Sequence, residues 1–328
     1  MLKKALISGA LGASLVASGS LARALPQAHA GTKAAAKNYK IVLIAGIASD
    51  AFYITMSHGA QAEAKTDGAS LQYSGSPAAF SPGTQLPYLN AAIARKPDLI
   101  LIAPTDKVAL QAPIQRAVSA GIPVLLVDTT LNDPSIAITT ISSDNIAGGK
   151  DVADGLAKAI GNKGKVAVVN TSPGVSTTDQ RVQGFDQELG KYPHVSNLGV
   201  TFTGDDPTRA NSVVKSLVAA HPDLAGVFAT NVLTGEGVTS AARESGLSGK
   251  LKLVEFDAEP TQIQAVKSGT IAALVAQNPY GIGQLAVRYG IQYLNGNHHL
   301  AKHYGTGEVI ITKANVNSPS VANYIYSK

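Results

Sequence analysis

The chain has 328 residues, 45% of them hydrophobic, and a formal net charge of +5. That length is enough for two lobes, each with its own core. There is no cysteine, which excludes a disulfide framework, thiolate metal sites and thiol catalysis.

The chain opens with the three parts of a secretory signal: Lys3-Lys4, an apolar run from Ala5 to Ala22, and Ala28-His29-Ala30 as the cleavage site. Cleavage after Ala30 removes Lys3, Lys4 and Arg23 and lowers the charge from +5 to +2, so the basicity is mostly a targeting feature. No second long apolar stretch follows, which points to a soluble mature chain in the periplasm. No basic cluster with interleaved aromatics appears, which argues against nucleic-acid binding. Positions 1–30 are thus a signal peptide and 31–38 a polar tether.

Strands are predicted at Ile41–Ile47, Ser70–Ser74, Leu99–Ala103 and Val124–Val127. Helices are predicted between them at Phe52–Lys65, Thr84–Ala94 and Val108–Ser119, and Ala137–Ser142 leads out as an extended segment. A second series has strands at Val166–Asn170, Gly199–Thr203, Gly226–Ala229 and Leu251–Phe256, with helices at Thr178–Leu189, Arg209–Ala220 and Gly235–Ser245. Ala273–Ala276 is a further strand, Tyr280–Leu294 a long helix, and Val309–Thr312 a last strand before a polar tail. Alternation of this kind gives βαβ units with parallel sheets.

The second series repeats the first. Lys40-Ile41-Val42-Leu43-Ile44 returns as Lys165-Val166-Ala167-Val168-Val169, Gly59 as Gly184, and Pro97-Asp98-Leu99 as Pro222-Asp223-Leu224. Asp128 after the fourth strand matches Asp257. A repeat this long duplicates a domain, and two like lobes on one chain leave a cleft between them.

Ligands of open parallel sheets bind beyond the carboxyl ends of the strands. The residues standing there are Asp50, Phe52 and Tyr53 after the first strand, Asp106 after the third and Asp128 after the fourth. In the second series they are Arg181, Asn231 and Asp257, and Gln277 follows Ala273–Ala276. Carboxylates and amides accept from hydroxyls, Arg and amides donate to them, and aromatic faces cover the C–H side of a sugar ring. The same aspartates could serve only as helix caps. His298, His299 and His303 match no zinc spacing, and neither a phosphate-binding loop nor a nucleophile elbow occurs. No catalytic set assembles, and no metal or cofactor is expected.

Several pieces in order resemble one family. They are Asp50-Ala51-Phe52-Tyr53 before His58-Gly59-Ala60-Gln61, Ser142-Ser143-Asp144-Asn145 with Gly148-Gly149, and Arg181 before Gly184-Phe185. The series continues with Phe228-Ala229-Thr230-Asn231, Glu255-Phe256-Asp257 and Ala276-Gln277-Asn278-Pro279. Nearly the whole mature chain resembles the periplasmic sugar-binding proteins of bacterial ABC transporters, ribose and galactose type. The resemblance implies an α/β fold of two Rossmann-like lobes with parallel sheets, joined by three hinge strands near Ile141–Asn145, Ala276–Pro279 and Gly305–Val309. It gives an N-terminal lobe of 39–142 plus 278–307 and a C-terminal lobe of 143–277 plus 308–328. It also implies a monomer that is not an enzyme and that delivers a sugar or polyol to an inner-membrane permease with its cytoplasmic ATPase. A sensory receptor with the same lobes is the alternative.

The implied ligand contacts are Asp50, Phe52, Tyr53, Asp128, Thr129, Arg181, Asn231, Asp257 and Gln277. Departures from the ribose pattern point to another pentose, a hexose or a polyol. Asp50 replaces an amide, and Thr129 stands where an Arg is expected. A ring-stacking aromatic is expected near Asp205, where none stands, and Val232-Leu233 replace an acidic pair.

Overall fold

Four-residue apolar runs are too short for helices and too apolar to face water, so they are satisfied only inside a sheet covered on both faces. In the computed structural model, which describes residues 38–77 and 79–326, β3 (Leu99–Ile102) and β4 (Val124–Val127) are buried at every position. With β1 (Lys40–Ile44), β2 (Ser70–Ser74), β5 (Thr140–Ser143) and β11 (His303–Thr306) they form a six-stranded sheet in the order β11-β5-β4-β3-β1-β2. The second six-stranded sheet has β6 (Gly164–Asn170), β7 (Val195–Phe202), β8 (Leu224–Ala229), β9 (Lys252–Phe256), β10 (Ala273–Ala276) and β12 (Val309–Thr312), in the order β12-β10-β9-β8-β6-β7. The two orders are the same when the sequence repeat is laid over them. Only β12, antiparallel to β10, breaks the parallel pattern.

Helices α1 (Ala51–Thr66), α2 (Pro82–Arg95), α3 (Gln111–Ser119) and α9 (Pro279–Leu294) cover the first sheet, and α1 packs on α9. The second sheet is covered by α4 (Asn145–Ala159), α5 (Ser176–Leu189), α6 (Pro207–Ala220), α7 (Val232–Glu244) and α8 (Pro260–Ser268), with α4 packed on α5. A last short helix, α10, spans Pro319–Ala322. The chain passes between the sheets three times, from β5 to α4, from β10 to α9 and from β11 to β12. These passages are the three-strand hinge of a two-lobed α/β molecule.

Helix α4 has no counterpart among the predicted elements. Its Gly148, Gly149 and Gly155 depress helix propensity, and packing on α5 together with the Asp144 cap, which accepts from Ala147 N at 3.0 Å, supplies what propensity lacks. Strand β11 and helix α8 also go unpredicted. β11 reads His-Tyr-Gly-Thr, too short and mixed to announce a strand. The predicted signal segment and all of the tether but Asn38 lie outside the described residues. Among the described residues no helix is long and apolar enough to cross a membrane.

Candidate functional site

Between the lobes lies a cavity of about 400 Å³ of space free of protein atoms, mouth included. This is the low end for small-molecule sites and suits a single sugar ring better than a chain of them. From the first lobe its wall holds Asp50, Phe52, Tyr53, Phe80 and Asp128. From the second it holds Thr171, Val175, Thr177, Thr178, Arg181, Asp205, Asn231 and Asp257, and Gln277 comes from the β10–α9 passage.

Strand ends place most of these groups. Asp50 follows β1 as the cap of α1, where its Oδ1 accepts from Phe52 N at 2.8 Å, so a capping role and a place on the wall coexist in one residue. Asp128, Asp205 and Asp257 follow β4, β7 and β9 with φ of 61°, 60° and 79°. Side chains other than Asp and Asn rarely hold this left-handed backbone, and such strain gathers where a side chain is aimed at a ligand.

Each polar group is held by others. Tyr53 OH donates to Asp128 Oδ2 at 2.8 Å. Asn231 Nδ2 donates to Asp205 Oδ1 at 2.7 Å while its own Oδ1 caps α7. Asp257 accepts from Val232 N at 2.9 Å and from Gln277 Nε2 at 2.7 Å. Arg181 is 2% exposed. Its Nε donates to Asn145 Oδ1 at 2.9 Å, one terminal nitrogen donates to the Thr230 carbonyl at 2.7 Å, and its guanidinium lies 4.0 Å over the Phe256 ring. A guanidinium has five N–H donors, so donors remain for a ligand.

Four carboxylates and one guanidinium line the cavity. Burial pushes the Asp128 and Asp205 carboxyls up to about 6 each, against the opposing pull of Arg181 on Asp128 and of the Asn231 hydrogen bond on Asp205. Asp50 is raised well above the usual carboxylate range, by burial first and then by the charges of Asp257, Asp205 and Glu259. Carboxyl oxygens and guanidinium N–H groups thus face one space, a set that hydroxyl groups, which both donate and accept, complete.

The structure brings eight of the nine predicted ligand contacts onto this wall. Thr129 is not among them. It is buried, and its hydroxyl has no hydrogen-bond partner among the described residues. Asp106 also stands apart from this wall, and its Oδ1 accepts from Val108 N and Ala109 N as a cap.

Six wall residues escaped sequence reasoning: Phe80, Thr171, Val175, Thr177, Thr178 and Asp205. Asp205 itself lines the cavity at the position where an aromatic is expected, and an aromatic comes instead from Phe80, on the loop between β2 and α2. A Cβ on Gly46 would stand 2.2 Å from the Phe80 ring, so glycine there is what admits it. The histidines are elsewhere: His303 Nε2 lies 2.9 Å from Ser142 Oγ, and His298 packs on Tyr293.

The lobes also meet across the mouth. Lys107 Nζ pairs with Asp179 Oδ2 at 2.9 Å, Lys107 N donates to the Gly174 carbonyl at 3.2 Å, and Thr130 N donates to Ser176 Oγ at 2.8 Å. The described state is thus closed at its rim.

Comparison with known proteins gives a consistent set of relatives. A family profile described as "Periplasmic binding protein domain" matches residues 41–298. The ribose import binding protein RbsB of Salmonella typhimurium is 31% identical over 264 residues, 80% of this chain and 87% of that protein. A solved solute-binding protein of an ABC transporter from Agrobacterium vitis, bound to α-D-tagatopyranose, is 43% identical with a TM-score of 0.87, covering 89% of this chain and all of that one. Another from Agrobacterium radiobacter, in complex with D-arabinose, is 29% identical with a TM-score of 0.84, covering 88% and 99%.

Proposed function

The chain belongs to the periplasmic binding proteins, the sugar-binding solute receptors of ABC transporters, and from that premise we propose which groups hold the ligand and what it is. The ligand is a free monosaccharide held by Asp50, Asp128, Asp205, Asn231, Asp257, Gln277 and Arg181, with Phe52 and Phe80 against its apolar faces. The observation that carries this reading is the wall itself: four carboxylates and one guanidinium with the rings of Phe52 and Phe80 around a space of one sugar. Sugar hydroxyls donate to the carboxylates and accept from the guanidinium, which neither an apolar ligand nor an anion could do.

The chain is exported, cleaved after Ala30, and works as a monomer. The lobes are 39–142 with 278–307 and 143–277 with 308–328. It hands its sugar unchanged to a membrane permease driven by a cytoplasmic ATPase. Ribose is not the preferred ligand, since Asp50 and Asp205 present acceptors and Thr129 brings no guanidinium to the wall.

A panel of D-tagatose, D-arabinose, D-allose, D-ribose and xylitol tests the reading by thermal shift and isothermal titration. A ligand bound only to the folded chain raises the melting temperature. At least one member other than ribose is expected to bind most tightly. Ribose as the tightest member would overturn the ligand assignment, and silence from every member would overturn the sugar reading.

A further inference from the structure

Tyr326 follows α10 in the segment whose sequence reads only as a polar tail, yet it is 2% exposed. Its N–H donates to the Ala258 carbonyl at 3.0 Å, so backbone pairing fixes its place first. Its hydroxyl donates to Asp257 Oδ1 at 2.7 Å and accepts from Gln277 N at 3.4 Å. Its ring meets the Phe52 ring edge-on with centroids 5.8 Å apart. A side chain outside the cavity wall therefore touches three residues of that wall, one from the first lobe and two from the second sheet's side.

The consequence falls on Asp257. A carboxylate offers about four lone-pair positions. Val232 N takes one on Oδ2, while Gln277 Nε2 and the Tyr326 hydroxyl both donate to Oδ1. Oδ1 is thereby filled, and one position on Oδ2 is left for a single ligand hydroxyl. Without the tyrosine donor, Oδ1 regains a free lone pair and the carboxylate can rotate. Without the ring as well, Phe52 loses the edge that sets its tilt.

We propose that Tyr326 is a positioning residue of the binding site, holding the Asp257 carboxylate and the Phe52 ring in one geometry across the cleft. Ligand affinity then depends on a side chain the ligand does not touch. This rests on the sugar-binding reading above.

The test is Tyr326→Phe, which keeps the ring and removes the donor, titrated against the same five-member panel, with Tyr326→Leu removing both. For the tightest member, Tyr326→Phe is expected to weaken binding about tenfold, the worth of a hydrogen bond to a charged group, and Tyr326→Leu to weaken it further. In an Asp257→Ala background, which leaves the hydroxyl no acceptor there, Tyr326→Phe should change affinity by less than about twofold, because the two act through one carboxylate. Melting temperatures without sugar, measured alongside, report the fold separately. Affinity within twofold of wild type for both variants would overturn the proposal, as would an undiminished Tyr326→Phe effect in the Asp257→Ala background. A wild-type chain that binds no panel member overturns the sugar reading and this proposal together.

Discussion

At the residue scale, three strand-end aspartates carry the cleft, and each stands in left-handed backbone. Two of them also carry an electrostatic cost. Burial raises the folded-state value of Asp205 from 3.8 to about 6. Between those values the folded chain binds more protons than the unfolded one, so stability falls as pH rises through that window and the whole penalty is present above it. The shift corresponds to on the order of 2–3 kcal/mol. Asp205→Asn, which keeps an acceptor for Asn231, should therefore raise the melting temperature of the sugar-free chain at pH 7.5, with the gain vanishing toward pH 4. A variant that melts below wild type at pH 7.5 would refute this. Asp257→Ala should act on binding instead, removing a buried charged partner at about 2–5 kcal/mol, or roughly 30-fold or more in affinity; an affinity within threefold of wild type by titration would contradict it. Sequence reading reached Asp128 and Asp257 because each ends an apolar run and the two match across the repeat. It missed the roles of Asp205 and Phe80, since a loop side chain that reaches the cavity through tertiary folding leaves no period in the sequence.

At the scale of elements, the duplicated lobes share one packing device. A Cβ on Gly59 would stand 2.0 Å from the Tyr280 carbonyl oxygen and one on Gly283 2.0 Å from that of Met56, which is the crossing of α1 and α9. Gly184 and Gly149 do the same for α5 and α4, at 2.1 Å from the Ile146 and Arg181 carbonyl oxygens. Gly59 and Gly184 are partners in the sequence repeat, so this pairing was visible in the chain before any fold was. Its purpose was not, because the glycine-rich α4 lacks the helical signal of its partner. The crossing has a consequence for binding: the backbone atoms that a Cβ on Gly149 would strike are those of Arg181. Gly149→Ala should cost about 1–3 kcal/mol through overpacking and also weaken sugar binding by displacing the guanidinium. Gly155→Ala on the same helix meets nothing within 4 Å and should be neutral or stabilising by up to about 1 kcal/mol. Denaturant unfolding of both variants checks the contrast, and equal effects would show that the close approach is not what matters.

At the scale of the whole molecule, the repeat gave two lobes and the strand ends gave the cleft, but the contacts that shut its mouth were not legible. Lys107 and Asp179 are far apart in sequence and meet only because the lobes close. Both side chains remain about a third exposed, at 35% and 32%, and such a pair is worth at most about 1 kcal/mol in water and less in salt. The Lys107–Asp179 pair alone is therefore a weak latch for the two lobes. A sugar that bridges Asp50 and Asp128 on one side with Arg181 and Asp257 on the other binds only when both walls are present, and it shifts the population toward closure by that difference in affinity. The ligand-free chain should then open about its three passages and close on binding. Small-angle scattering should show a smaller radius of gyration with saturating ligand. Lys107→Ala should lower affinity by less than about fivefold and leave that compaction in place. An unchanged radius with a tight ligand would mean that the lobes are fixed in the closed arrangement, and loss of compaction in Lys107→Ala would make the rim, not the sugar, the agent of closure.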